Sequence, residues 1–247
     1  MDKYFDKGEV LDKYVIEKFL GEGRYGIVYL GVNDKSEKCV IKQLKVEELE
    51  NTRKKLFYEE KILRNLENYS GFPKFISRFE DEYREGYILE YMEGNTFHQI
   101  LSKTQYEFTK EDIYEIADKL LDLIKELHNE NIVHRDIRAS NVIINGNKEL
   151  VLIDFGLARF MDNKRYTKEV DYWFFSDFLI HLYYSSYVDA NLEEEKPWYE
   201  ELDLTEEERH FLKKLMGLDG EYKNLYEIRK DLEELKKYFT SNGKRNV

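Results

Sequence analysis

Residues 14–23, YVIEKFLGEG, alternate apolar and polar positions imperfectly and run into glycines. GIVYLGV at 26–32 resumes the alternation, and KCVIKQL at 38–44 is a third run rich in β-branched residues. A period of two predicts three strands. A helical spacing follows from about residue 46 to 66, and GFPKFISRFEDEYREGYILEYMEG at 71–94 reads as two more strands and a turn.

From Thr109 the period lengthens. Thr109 and Asp112 form a capping-box pattern, after which Ile113, Ile116, Leu120, Ile124 and Leu127 recur at helical spacing. Thr205 and Glu208 repeat the start signal before Phe211, Leu212, Leu215 and Met216. Between these helices lies a short β-like island, NVIINGNKELVLIDFG at 141–156, with a hairpin signal at Asn145-Gly146. The pattern predicts a β-rich part through about Met92 joined without a linker to a helical part, and a cleft between them is the default ligand site.

Composition narrows the class. Hydrophobic residues make up 42% and aromatics 15% of 247 residues, enough for a sizeable core and unlike a disordered chain. The net charge of −12 argues against a general nucleic-acid or anionic-membrane surface. Cys39 is the only cysteine, which excludes an intrachain disulfide, and MDKYFDKGEV lacks an apolar signal region. The most apolar stretch, around 172–184, carries Asp177 and His181 and is too short to span a bilayer. The expectation is a soluble cytoplasmic protein with neither nucleic acid nor membrane as partner.

Four segments carry candidate chemistry. Gly21, Gly23 and Gly26 stand in the order G-x-G-x-x-G between strands, where bare backbone can approach phosphate oxygens. Alone they fit a bulged hairpin equally well, and the strand that follows excludes a dinucleotide-binding turn. Lys42 ends an apolar run on the next strand and could reach phosphates if an anion held its head group; Glu59 is the candidate, and its neighbour Glu60 the competitor. IVHRDIRASNVII sets Asp136 and Asn141 five residues apart, a carboxylate able to take a hydroxyl proton and an amide oxygen able to ligate a hard cation. Arg138 adds a fixed charge suited to a phosphoryl group, and Asp154 of VLIDFG a second hard oxygen ligand.

In this order and context, GEGRYGIV, CVIK, Glu59, HRDIRASN and DFG resemble the signature of eukaryotic-type protein kinases, small single-domain bacterial serine/threonine members in particular. The resemblance runs from about Tyr14 to at least Asp177. It implies an α+β, bilobal fold over 1–247, with a β-rich N-lobe bearing one main helix (about 1–92), a mainly helical C-lobe (about 93–240) and a short frayed tail. It implies Mg-ATP (Mn²⁺ possible) and a protein substrate. Asp136 would be the catalytic base, Asn141 and Asp154 the metal ligands, Lys42 the phosphate contact and Glu59 its positioner. The loop 21–26, which includes Glu22, Arg24 and Tyr25, would cover the phosphates. Leu20, Val28, Val40 and Ile143 would sandwich the adenine, Leu89 would stand at the gatekeeper, and the backbones of Glu90 and Met92 would bond the adenine edge. Asp171, with Asp177 as fallback, resembles the buried aspartate that braces the catalytic loop.

Two departures stand out. Arg138 replaces the lysine usual in serine/threonine kinases, and RASN resembles the tyrosine-kinase loop. Asp154 to Asp171 spans only 17 residues with no A-P-E, so the activation segment is shortened, and Tyr222 or Lys223 stands near the place of the arginine that A-P-E would pair with. A phosphate on Thr167 could pair with Arg135. A small-molecule kinase and an ATP-binding pseudokinase or scaffold remain the alternative readings.

Overall fold

The computed structural model describes residues 2–23, 26–45, 58–104, 106–162, 164–187 and 196–243. The chain divides into two compact units, Met1–Glu93 with Phe155–Ala158, and Gly94–Asp154 with Arg159–Val247.

The first unit is built on six antiparallel strands: β1 (Val10–Leu11), β2 (Tyr14–Glu22), β3 (Gly26–Val32), β4 (Lys38–Leu44), β5 (Phe75–Glu80) and β6 (Glu85–Glu90), in the order β1-β2-β3-β4-β6-β5. The alternation read from the sequence sorts the side chains to two faces. Ile27, Tyr29, Cys39, Ile41 and Ile88 form a buried core on one face with Phe5, Tyr14 and Ile16. Burial pushes the Cys39 thiol up to about 12, so it behaves as a small apolar residue and not as a nucleophile. Register places Val28 opposite Lys42, Lys42 opposite Tyr87, and Val40 opposite Leu89, so these five share the other face.

One helix, α1, is described over 58–65; the expected span 46–57 lies outside the described residues. The pattern of the strands does not announce the role of the segment before them. Phe5 is buried edge-on to Tyr29 and Phe79 under the Arg84 guanidinium, which is held by Glu9 and Asp81. Phe5 thus completes a core that the sheet leaves open.

In the second unit, β7 (Asn95–Thr96) leads into α2 (Phe97–Lys103) and α3 (Lys110–Asn129). Thr109 caps α3 as its sequence predicts, with the reciprocal bond from Thr109 N–H to Asp112, and the 3.6-period stripe is buried. After β8 (Ile132–Val133), β9 (Val142–Ile144) and β10 (Leu150–Leu152) pair as expected, but not through a two-residue turn. The loop runs 145–149: the Asn145 side chain accepts from the backbone N–H of Asn147 and Glu149, and the positive φ falls on Lys148, not Gly146. A side-chain-organised turn has displaced the tight one.

β11 (Arg159–Phe160) pairs with β8, and α4 (Glu169–Tyr183) follows after eight residues. Asp162 organises that connection by accepting the backbone N–H of Lys164, Arg165 and Tyr166, contacts that hold its carboxyl below the usual range. Helix α4 is apolar on most sides and largely buried, as suits the centre of a helical unit. The short helix α5 (Trp198–Glu201), then α6 (Glu206–Leu215) and α7 (Leu225–Gly243) complete it. Glu208 of α6, buried, accepts from Lys110, Tyr114 and Tyr183 as well as Thr205 N–H, a satisfied knot that fastens α6 to α3 and α4.

Candidate active site

On the open face of the first unit's sheet, Lys42 Nζ donates to Glu59 Oε1 at 3.0 Å, and the Tyr87 hydroxyl donates to the other oxygen of Glu59. The glutamate is buried, so a cation is what makes its charge tolerable there. Glu60 points elsewhere, to Arg64 and Arg78 at the surface. Spacing beside the apolar Ile62 and Leu63 separates the two acids, because it turns Glu59 to the inner side of the helix.

The glycines divide by cause. A Cβ on Gly26 would lie 2.9 Å from the Gln43 carbonyl oxygen, so the sheet itself demands glycine there. At Gly21 and Gly23 a Cβ would meet no described atom within 4 Å, and neither has a positive φ. Fold packing therefore does not require them, and their bare backbone suits the approach of a phosphate. Arg24 and Tyr25 lie outside the described residues; Glu22 is turned to Lys45 and Tyr4. Gly26→Ala is expected to lower the melting temperature by several degrees, whereas Gly21→Ala and Gly23→Ala leave it unchanged and weaken ATP binding. Equal thermal losses at all three would overturn the distinction.

Of the other residues assigned to adenine, Val28, Val40 and Leu89 share the face of Lys42, and Leu20 is exposed in the bulged part of β2. Glu90 N–H is taken by the Lys74 carbonyl, while Met92 makes no backbone hydrogen bond among the described residues. Ile143 is buried in the second unit's β9.

The second unit builds the Asp136 loop from both ends. Asn141 Nδ2 donates to both the backbone oxygen and Oδ2 of Asp136, each at 2.9 Å. This bonding fixes the amide orientation and leaves Oδ1, met by Ser140 Oγ at 3.4 Å, as the oxygen able to ligate a cation. Arg138 Nε donates to Asp136 Oδ1 at 2.6 Å, and its terminal nitrogen reaches the same oxygen. Ile153 N–H donates to the Asn141 carbonyl at 2.9 Å, which brings the chain entering Asp154 alongside Asn141. Asp154 is exposed and has φ 64°, a conformation that costs a non-glycine residue energy. An amide oxygen and a carboxylate, with the remaining positions left to phosphate and water, suit magnesium.

Asp171, fully buried at the start of α4, braces this loop. Its carboxylate accepts the backbone N–H of Arg135 at 2.8 Å and of His134 at 3.1 Å, and meets His128 Nε2 at 2.9 Å. Arg135 is held at φ 68°, so the brace secures a strained turn one residue before Asp136. Asp177 faces His181 near the surface and touches none of the loop. The Arg135 guanidinium lies over the Tyr166 ring, 4.8 Å from its centroid.

His134 is buried with Nε2 3.2 Å from the Ile153 carbonyl, and burial lowers its pKa against the pull of Asp171, Asp154 and Asp136. The folded state therefore keeps His134 neutral while the unfolded chain protonates first. Stability rises with pH where the unfolded state binds more protons, so it falls as pH drops below about 6.5, by up to about 1.4 kcal/mol per pH unit. Urea unfolding between pH 7 and 5.5 should give a flatter stability profile for His134→Phe; an unchanged slope would contradict the assignment.

A protein kinase domain model matches residues 14–219. The chain belongs to the protein kinase domain family. It is 33% identical over 240 residues to the probable serine/threonine-protein kinase YbdM of Bacillus subtilis (strain 168), covering 94% of this chain and 93% of that one. It is also 36% identical over 146 residues to mitogen-activated protein kinase kinase kinase 3 of Arabidopsis thaliana, covering 58% of this chain and 24% of that one. A probable casein kinase II subunit alpha homolog of Encephalitozoon cuniculi (strain GB-M1) is 36% identical over 159 residues, 63% of this kinase and 46% of its own length. No helix of the described residues is long and apolar enough to cross a membrane.

Of Tyr222 and Lys223, Tyr222 is buried with its hydroxyl on Asp231 at 2.7 Å, and Lys223 is exposed.

Proposed function

We propose that this kinase is an ATP-dependent protein serine/threonine kinase that transfers the γ-phosphoryl group of Mg-ATP to a hydroxyl, and that its two units are the lobes of one domain. The Asp136 carboxylate, held by Asn141 and Arg138 on a loop braced by Asp171, is the observation that carries this reading. Asp136 orients the acceptor hydroxyl and takes its proton as the oxygen bonds to the γ-phosphorus and the bond to ADP breaks. Lys42, fixed by Glu59, contacts the phosphates under the glycine-rich loop. Leu20, Val28, Val40 and Ile143 enclose the adenine beside Leu89, and the backbones of Glu90 and Met92 read its edge. Asn141 and Asp154 hold the metal, which when bound neutralises charge on the phosphates. Arg138 supplies a fixed positive charge beside the acceptor. A serine/threonine protein acceptor is supported by the names of the relatives, and by an Asp136 loop complete in every expected donor and acceptor.

Radiolabelled ATP incubated with the protein alone, with a basic protein mixture and with an amine and alcohol panel tests the reading. Label on protein serine or threonine supports it. Label only on small molecules, or nucleotide binding without transfer, would replace it.

A further inference from the structure

The glycine-rich loop carries a charge that does not suit its task. Glu22 stands between Gly21 and Gly23, where a carboxylate turned to phosphates would repel them. Register turns it away. Gly21 pairs with Val28 and Glu22 with Ile27, so Glu22 lies on the face of Ile27 and Tyr29, opposite to that of Val28 and Lys42. On that outer face the Tyr4 hydroxyl donates to Glu22 Oε2 at 2.7 Å, and Lys45 Nζ pairs with Oε1. Lys45 first and then Tyr4 hold the Glu22 carboxyl below the usual range, so it is ionised at neutral pH.

Tyr4 is placed there by its neighbours. The Lys3 carbonyl accepts from Gln43 Nε2 at 2.9 Å, and Phe5 N–H donates to the Tyr29 hydroxyl at 3.2 Å. The Tyr29 hydroxyl donates in turn to Gln43 Oε1, so one buried pair of side chains grips the chain on both sides of Tyr4. Phe5 is sunk in the core, whereas Tyr4 stays 46% exposed. Core packing therefore accounts for Phe5 but not for the hydroxyl delivered to the loop.

We propose that Tyr4 and Lys45 are positioning residues for the nucleotide. They keep the Glu22 carboxylate neutralised on the outer face, so that the phosphates of ATP meet the bare backbone of Gly21 and Gly23 with no like charge turned to them. The role rests on the kinase reading, which assigns this loop to the phosphates. It gives the segment before β1 a part in supporting the nucleotide site.

Calorimetric titration of the full chain with Mg-ATP and with adenosine tests the proposal. Lys45→Met should weaken Mg-ATP binding about five-fold and Tyr4→Phe about two-fold, while adenosine, which has no phosphate, binds each variant as it binds the parent. Added salt should narrow the gap for Mg-ATP. With the carboxylate removed by Glu22→Gln, adding Lys45→Met or Tyr4→Phe should change Mg-ATP affinity by less than about 1.5-fold. A Lys45→Met effect of equal size in both backgrounds would mean that the lysine attracts the phosphates directly, and would overturn the proposal. Parallel losses of adenosine and Mg-ATP, the mark of a disturbed sheet, would also overturn it. A parent that binds no Mg-ATP would overturn the kinase reading and the proposal with it. A parent that binds Mg-ATP no better than its variants would overturn the proposal alone.

Discussion

Asp136→Asn should abolish phosphate transfer, by about 10³-fold in kcat, while ATP binding changes less than about two-fold. The substitution keeps the size and planarity of the group and can keep an oxygen toward Arg138. It cannot accept a proton, and on the side facing Asn141 it sets one amide against another where Nδ2 now donates to a carboxylate oxygen. The residues assigned to the nucleotide in the first unit make no use of this carboxylate, so affinity for ATP is expected to survive. Single-turnover transfer and nucleotide binding by calorimetry separate the two quantities. Turnover near the parent rate would remove Asp136 from the role of base.

Asp171→Asn is the second large effect, and its cause differs. The native carboxylate accepts from two backbone N–H groups and meets His128, all inside the core. An asparagine offers one acceptor oxygen where two are used and turns an amide donor toward groups that are themselves donors. Leaving buried polar groups unpaired costs about 1–3 kcal/mol each, so a loss of roughly 2–4 kcal/mol in stability is expected. The loop also loses what holds Arg135 at its strained φ, so kcat should fall about 100-fold with KM for ATP little changed, because Asp136 is mispositioned and not removed. Asp177→Asn is the control: it touches none of the loop, and both readouts should stay near the parent values. If Asp171→Asn retained kcat at a temperature where it is fully folded, its positioning role would be refuted.

Much of this was legible along the chain because it depends on neighbours. Helix α3 is announced by Thr109, Asp112 and a stripe of period 3.6, all within a few turns. Strands β2 to β4 are announced by alternation, which also puts Lys42 on the same face as Val28 and Val40. The Asn145-Gly146 signal located a hairpin but not its turn, since an asparagine side chain can bond the backbone ahead of it and outcompete the two-residue form. The role of Phe5 was not legible at all: two adjacent aromatics, Tyr4 and Phe5, in MDKYFDKGEV show no period, and the pocket of Phe5 is made by Tyr29, Phe79 and Arg84.

The sequence by itself therefore determined the strands, the helices and which residue types could do phosphoryl-transfer chemistry, because caps, periodicity and motif spacing are properties of adjacent residues. Tertiary structure decided which of those residues meet. Helical spacing beside Ile62 and Leu63 already favours Glu59 over Glu60, but that it meets Lys42 across 17 positions, that Asp171 takes His134 and Arg135 across 37 and 36, and that Glu9 takes Arg84 across 75 is set by the fold. Such pairs arise where a buried charge finds a partner as the core closes, and that pairing is set in space, with no period along the chain to announce it.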